Sequence, residues 1–223
     1  MKTPKSYQEV MEGQVNDQKG IFREYELLVT KVDRAFQKVT EEYGALVKCR
    51  ARCSDCCHAV FGLFPIESVY LGYHCQSLDE KSKREALSRG DAFNEELLAI
   101  QERRREEGGD PEAISLALAR ERVRCPLLSD EQRCLVYNHR PITCRVYGVP
   151  TMIQGRSHVC GKSGFIKGQS FPAFNLDMVN RELYRLSGEL LAAAGHSSPE
   201  DASTYLLSVS RSINMAPRDL VKL

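Results

Sequence analysis

The sequence has no tryptophan, no long apolar run and no surplus of charge of either sign, and each absence removes a class of function. No stretch approaches the roughly 18 uninterrupted apolar residues of a membrane span, so no membrane-embedded role is expected. The first residues, MKTPKSYQEVMEGQVNDQ, carry no apolar core of the kind a secretory signal requires, which points to the cytoplasm. Lysine and arginine total 31 against 30 aspartate and glutamate, a formal net charge of +1. Neutralising many phosphates takes a basic excess, so no nucleic-acid partner is expected. A phosphate loop is missing too. Gly161-Lys162-Ser163 has its ending, but the glycine required five places upstream is Arg156. No strand, glycine-rich turn and helix succeed one another as in a dinucleotide or S-adenosylmethionine pocket.

What the sequence does have is nine cysteines. The number is odd, and in a reducing compartment thiols stay free, so a disulfide framework is a poor explanation and metal ligation the leading one.

The surroundings are helical. From Asp17, a candidate cap, to Val47, apolar residues recur at helical spacing: Ile21, Tyr25, Leu28, Val32, Phe36 and Val39, then Tyr43 and Leu46. This predicts a long amphipathic helix after a loose polar segment, residues 1–15, with its apolar face available for packing or for self-association into a homo-oligomer. Pro65 suits the first turn of a helix over 65–77. Residues 79–107 predict a largely solvated helix with a thin stripe of Leu87, Phe93, Leu97 and Ile100. Its arginines 103–105 are offset by Glu102, Glu106 and Glu107. Asp110-Pro111 opens a helix to about Val123. CPLL, CLVY and RVYGVPT, within 125–160, read as short strand-like pieces. The tail predicts a helix over 174–194 and a last one opened by Ser198-Pro199-Glu200. The expected fold is mainly α, a single helical domain. An N-terminal helix (1–48) and C-terminal helices (161–223) would flank a small irregular or β cysteine-rich metal-binding core (49–160).

Cys49, Cys53, Cys56 and Cys57 form a C-x3-C-x2-C-C pattern. On a continuous helix these offsets share one face within about 100°. Cys49 and Cys57 would then stand about 12 Å apart along the axis. A single zinc ion needs four ligands at about 2.3 Å, so these four cannot close one site unless the helix breaks. The complementary sulfurs are Cys125, Cys134, Cys144 and Cys160, whose separations are too long for a zinc knuckle and require folding to gather them. Cys75, alone on its helix, reads as a small buried apolar residue.

With CRARCSDCC followed by CPLL, CLVYNHRPITCRVYG and a final Cys160, the chain resembles the YkgJ-type cysteine-cluster family, a zinc- or iron-chelating domain with a CxxxCxxCC signature. The likeness spans about 49–160 and includes Arg140, Pro141, Cys144 and Arg145 of an RP-x-x-CR element. It implies a metal without naming the metal or a reaction. The family is also similar to the cysteine-rich part of flagellin lysine N-methylases, which implies a protein-modifying enzyme as one alternative.

Scattered cysteines suit an iron–sulfur cluster such as 4Fe-4S, which spreads its ligands, and all-thiolate ligation also suits zinc. Eight thiols allow two tetrahedral zincs, two four-iron clusters, or one cluster with spare thiols. The favoured reading is an iron–sulfur centre for electron transfer or as an accessory to another enzyme. Its counterpart is a zinc-stabilised interaction module serving a protein partner. Arg140 and Arg145 are candidates to donate hydrogen bonds to sulfurs. His58 is a candidate replacement ligand, and His139 and His158 are weaker ones. Tyr137 and Tyr147 are expected to pack over the site.

Overall fold

A computed structural model of the protein describes residues 15–50, 52–166, 168–215 and 219. Apart from Val15, the N-terminal segment expected to be loose lies outside them. The long first helix, α1, runs Val15–Tyr43. Asp17 falls inside it rather than capping it. Ile21, Tyr25 and Val32 are buried, and Phe22, Leu28, Phe36 and Val39 pack partly buried beside them. That face lies on α5 (Ile142–Val146) and α6 (Leu176–Ala193), so the predicted stripe is used within the molecule. From α6 come Val179, Leu183, Leu186 and Leu190, one side of an amphipathic helix capped by the Asn175 side chain on the Met178 amide.

The helix predicted from Pro65 is α2 (Pro65–Cys75), buried along most of its length, Glu67 and Ser68 included. It is enclosed between α6 and the last helix, α8 (Val209–Ile213). Gly72 permits that approach. A Cβ there would stand 2.7 Å from the carbonyl oxygens of both Ser212 and Met215. The charge-dense segment is α3 (Glu80–Glu106), started by the Asp79 carboxylate on the Ser82 amide. Phe93 and Ile100 of its predicted stripe are buried with Val123, and Leu97 packs beside them. The helix α4 (Pro111–Leu118) ends five residues short of the predicted Val123. The predicted last helix is divided: Pro199 starts α7 (Pro199–Ala202), and α8 follows separately.

The strand reading of 125–160 needs correction. CPLL and CLVY meet only through an isolated bridge between Leu128 and Cys134, after which Tyr137–His139 forms a 3-10 turn. Arg145 and Val146 end α5, and Tyr147 caps it. Of the predicted pieces only the end of RVYGVPT enters a strand, β1 (Thr151–Ile153), paired antiparallel to β2 (Arg156–His158) and parallel to β3 (Phe174–Asn175). The β1–β2 turn sets Gln154 and Gly155 at φ 49° and 71°, the paired positive angles of a tight hairpin. The fold is thus mainly α with a small three-stranded sheet. No helix among the described residues is long and apolar enough to cross a membrane.

Candidate metal centre

The alternative left open by the first cysteine group is decided by where α1 stops. It ends at Tyr43, a turn follows through Leu46, and the chain leaves helical geometry before Cys49. Arg52 takes a left-handed φ of 67°, and Asp55–His58 winds into a short 3-10 turn. The four sulfurs therefore do not form a helical stripe. They follow a curved loop, which removes the 12 Å separation that an unbroken helix would impose.

The second group is folded onto this loop by main-chain and side-chain bonds. The Cys125 amide donates to the Cys57 carbonyl at 2.7 Å. The Ser54 hydroxyl donates to Gln132 Oε1 at 2.7 Å, tying the Cys53 end of one loop to the Cys134 end of the other. The bridge between Leu128 and Cys134 closes the 125–134 loop on itself. α5 carries Cys144, and Arg145 anchors that helix. Its guanidinium donates to Asp33 Oδ2 of α1 at 2.7 Å and to the carbonyls of Arg140 and Asn138, with only 8% of its side chain exposed. Cys160 arrives from the end of β2 and is held by Asp55, whose Oδ2 accepts from its thiol at 3.2 Å. The same carboxylate takes Arg122 at 2.7 Å and Lys162 at 3.6 Å.

All eight sulfurs expected as ligands border two adjoining cavities. The larger, about 480 Å³, is lined by Cys49, Cys53, Cys56, Cys57, Cys134, Cys144 and Cys160. The smaller, about 30 Å³, is bounded by Cys56, Cys57, Cys125, Cys134 and Cys144. Four cysteines are common to both, so the vicinal pair Cys56–Cys57 stands at the junction. Cys75 borders neither. It is fully buried in an apolar group with Leu63, Leu71 and Ile213.

The sulfurs form a wall and not a closed chelate. Among the described residues no three Cys, His, Asp or Glu side chains converge tightly enough to make a ready site for one ion. Their protonation follows from crowding. Cys56 receives hydrogen bonds from the Cys144 and Cys57 thiols, which hold its own thiol far below the ordinary range. The two donors are correspondingly pushed up. Burial raises Cys125 to about 12 and Cys49 to about 11, and raises Cys134 and Cys160 as well. Arg140 works against that rise at Cys49 and Cys134 and adds to the lowering at Cys56. The donors are mostly soft thiols, with the Asp55 carboxylate beside them engaged by Arg122, Lys162 and Cys160, and they surround more volume than one ion occupies. That chemistry fits thiolate-bound zinc or iron.

The supporting residues differ from those expected. Arg145 gives its hydrogen bonds to Asp33 and to carbonyls, and Arg140 donates to the Tyr137 carbonyl while its guanidinium lies 3.7 Å over the Tyr137 ring. Arg140 thus acts on the sulfurs through charge. His58 turns its Nδ1 to the Ser54 carbonyl at 3.0 Å. His139 stacks on His74 with ring centroids 3.4 Å apart, and His158 is exposed on β2. No histidine lines either cavity. Tyr147 and Tyr137 do line the larger one, and the Tyr147 hydroxyl accepts from Arg122 at 3.1 Å.

Three contributors were invisible in the sequence. Asp55, flanked by cysteines, links Cys160 to two cations. Arg122 reaches it from 67 residues away. Gly148 faces the Cys49 sulfur so closely that a Cβ there would collide with it. Only the position of Asp55 inside CSDCC offered a local hint.

The helical frame with its cysteine-lined core fits a metal-binding protein. A sequence model of the CxxCxxCC family, described as a proposed zinc- or iron-chelating domain, matches residues 48–161, and the chain belongs to that family. The family label has two residues between its first cysteines where this chain has three. No curated protein and no solved structure matches the chain.

Proposed function

We propose that the eight cysteines ligate an iron–sulfur centre that carries electrons or assists another enzyme. The observation that carries this reading is the convergence of seven thiols, from residues 49–57 and 134–160, on a cavity of about 480 Å³ with no histidine in its wall, the eighth, Cys125, bordering the smaller cavity beside it. An iron–sulfur cluster takes its thiolates at wider spacing than a single tetrahedral ion does, and so suits sulfurs set around a space. Cys56, Cys57, Cys134 and Cys144 belong to both cavities, so ligands can be shared out between two centres or between one centre and its surroundings. Cys49, Cys53 and Cys160 then complete the wide end, and Cys125 the narrow one.

The smaller cavity supports a second reading. Its volume, about 30 Å³, accommodates one ion among five of the same sulfurs, the setting of a structural zinc. Purification without oxygen, followed by iron, zinc and acid-labile sulfide analysis, separates the two. Iron and sulfide, with a broad visible band bleached by dithionite, are the expected result. A colourless protein holding stoichiometric zinc and no sulfide rejects the iron–sulfur reading.

A further inference from the structure

Five arginines border the larger cavity: Arg50, Arg52, Arg133, Arg140 and Arg145. Two are already engaged. Arg145 is clamped to Asp33, and Arg140 lies on Tyr137 and acts on the sulfurs. Arg50, Arg52 and Arg133 are exposed, and among the described residues none has an acidic partner. The acidic side chains on the same wall are unavailable to them. Asp33 is taken by Arg145, and Asp55 by Arg122, Lys162 and the Cys160 thiol.

The backbone that delivers these arginines is unusual. Three described non-glycine residues have positive φ, and two of them lie here: Arg52 at 67° and Gln132, next to Arg133, at 60°. Such angles cost free energy and persist where surrounding contacts enforce them. The enforcing contact is the 2.7 Å bond between Ser54 and Gln132, which pins the two turns together. Cationic side chains on these two joined turns, with no acidic partner among the described residues, border one cavity and offer charge that an anion bound there offsets. Guanidinium forks match carboxylate and phosphate oxygens in geometry as well as charge.

We propose that the mouth of the cysteine cavity is an anion-recognition site, where Arg50, Arg52 and Arg133 bind a small molecule bearing a carboxylate or phosphate group. The inference rests on the metal-centre reading in one respect: the centre held by the sulfurs leaves part of the cavity of about 480 Å³ free for a ligand. The ligand then binds beside the centre.

The test is calorimetric titration of the anaerobically purified, metal-loaded full chain with inorganic phosphate and, separately, with citrate, at ionic strength fixed by chloride. Saturable binding of either anion is expected, and which of the two binds decides between phosphate and carboxylate. The double variant Arg52→Gln/Arg133→Gln should weaken it about tenfold or more, the loss of charge-assisted contacts. Arg103→Gln/Arg105→Gln, an equal change of charge on the exposed end of α3, should leave it unaltered. Arg52→Lys/Arg133→Lys, which keeps the charge and loses the fork, should fall between. Absence of saturable binding, or equal weakening by the α3 pair, overturns the proposal. So does loss of metal from the Arg52/Arg133 variants, which would assign those arginines to the metal. Metal analysis of the wild-type chain judges the iron–sulfur reading separately, so the two can fail independently.

Discussion

At the scale of single residues, the site depends on where sulfurs are pressed and what presses them. Gly148 is the tightest case, because nothing larger than hydrogen fits between its backbone and the Cys49 sulfur. Gly148→Ala should displace the exposed Cys49 side chain and cost about 1 kcal/mol, the low end of the overpacking range. A lower melting temperature together with reduced metal per chain is the outcome to look for, and unchanged metal content would show that Cys49 is not a ligand. Cys75 and Cys134 make a matched pair, since both contact the same apolar group but only Cys134 borders the cavities. Cys134→Ala should lose metal, whereas Cys75→Ala should keep it. Elemental analysis of the two purified variants reads this directly, and a reversed result would dismantle the ligand assignment.

At the scale of elements, α2 carries a carboxylate where none would be expected. Glu67 is 3% exposed; it accepts from the Ile142 amide at 2.9 Å and the Phe64 amide at 3.3 Å, joining the start of α2 to α5 and hence to Cys144. Burial pushes its carboxyl up to about 7, against the pull of those amides and of Arg145. The folded chain therefore keeps a proton that the unfolded chain, near the ordinary 4.5, has already lost. Where the folded state holds more protons, stability falls as pH rises, so Glu67 should weaken the fold progressively between about pH 4.5 and 7 and no further above that. The full effect is on the order of 3 kcal/mol. Urea unfolding of wild type and Glu67→Gln at pH 5 and pH 7.5 checks it. The variant should lack that part of the slope, and parallel pH profiles would count against a buried proton on Glu67.

The helices themselves were largely legible in advance because their signals are local. Apolar spacing marked α1, Asp79 and Asp110 capped α3 and α4, and Pro65 opened α2. The errors fell where local and tertiary preferences diverge. The pieces around Cys125, Cys134 and Cys144 have strand-forming composition but no neighbouring strand to pair with, so they settle as turns, an isolated bridge and a short helix.

At the scale of the whole molecule, two kinds of cohesion meet. The main apolar core joins α1, α2, α5 and α6 and contains none of the eight cysteines; the loop 125–134 packs Leu127, Cys125 and Cys134 on the second apolar group, whereas the loop 49–57 is held by a few hydrogen bonds and by the site. Removing metal under anaerobic conditions should therefore lower the melting temperature and loosen those loops while leaving most of the helical signal. Far-ultraviolet circular dichroism with amide hydrogen exchange distinguishes this from global unfolding. Complete loss of helicity would mean that the metal, not the apolar core, organises the helices.

The sequence alone determined the family, the set of eight cysteines and the mainly helical frame, since motif spacing and apolar periodicity are written within short windows. Only the tertiary structure decided which sulfurs are neighbours, that α1 stops before the first of them, and that Asp55, Arg122 and Gly148 shape the site. Those facts rest on contacts such as Ser54 to Gln132, Cys160 to Asp55 and Arg145 to Asp33, between partners 78, 105 and 112 residues apart. No local pattern encodes such pairs. They form only when the packed helices bring distant loops to one place.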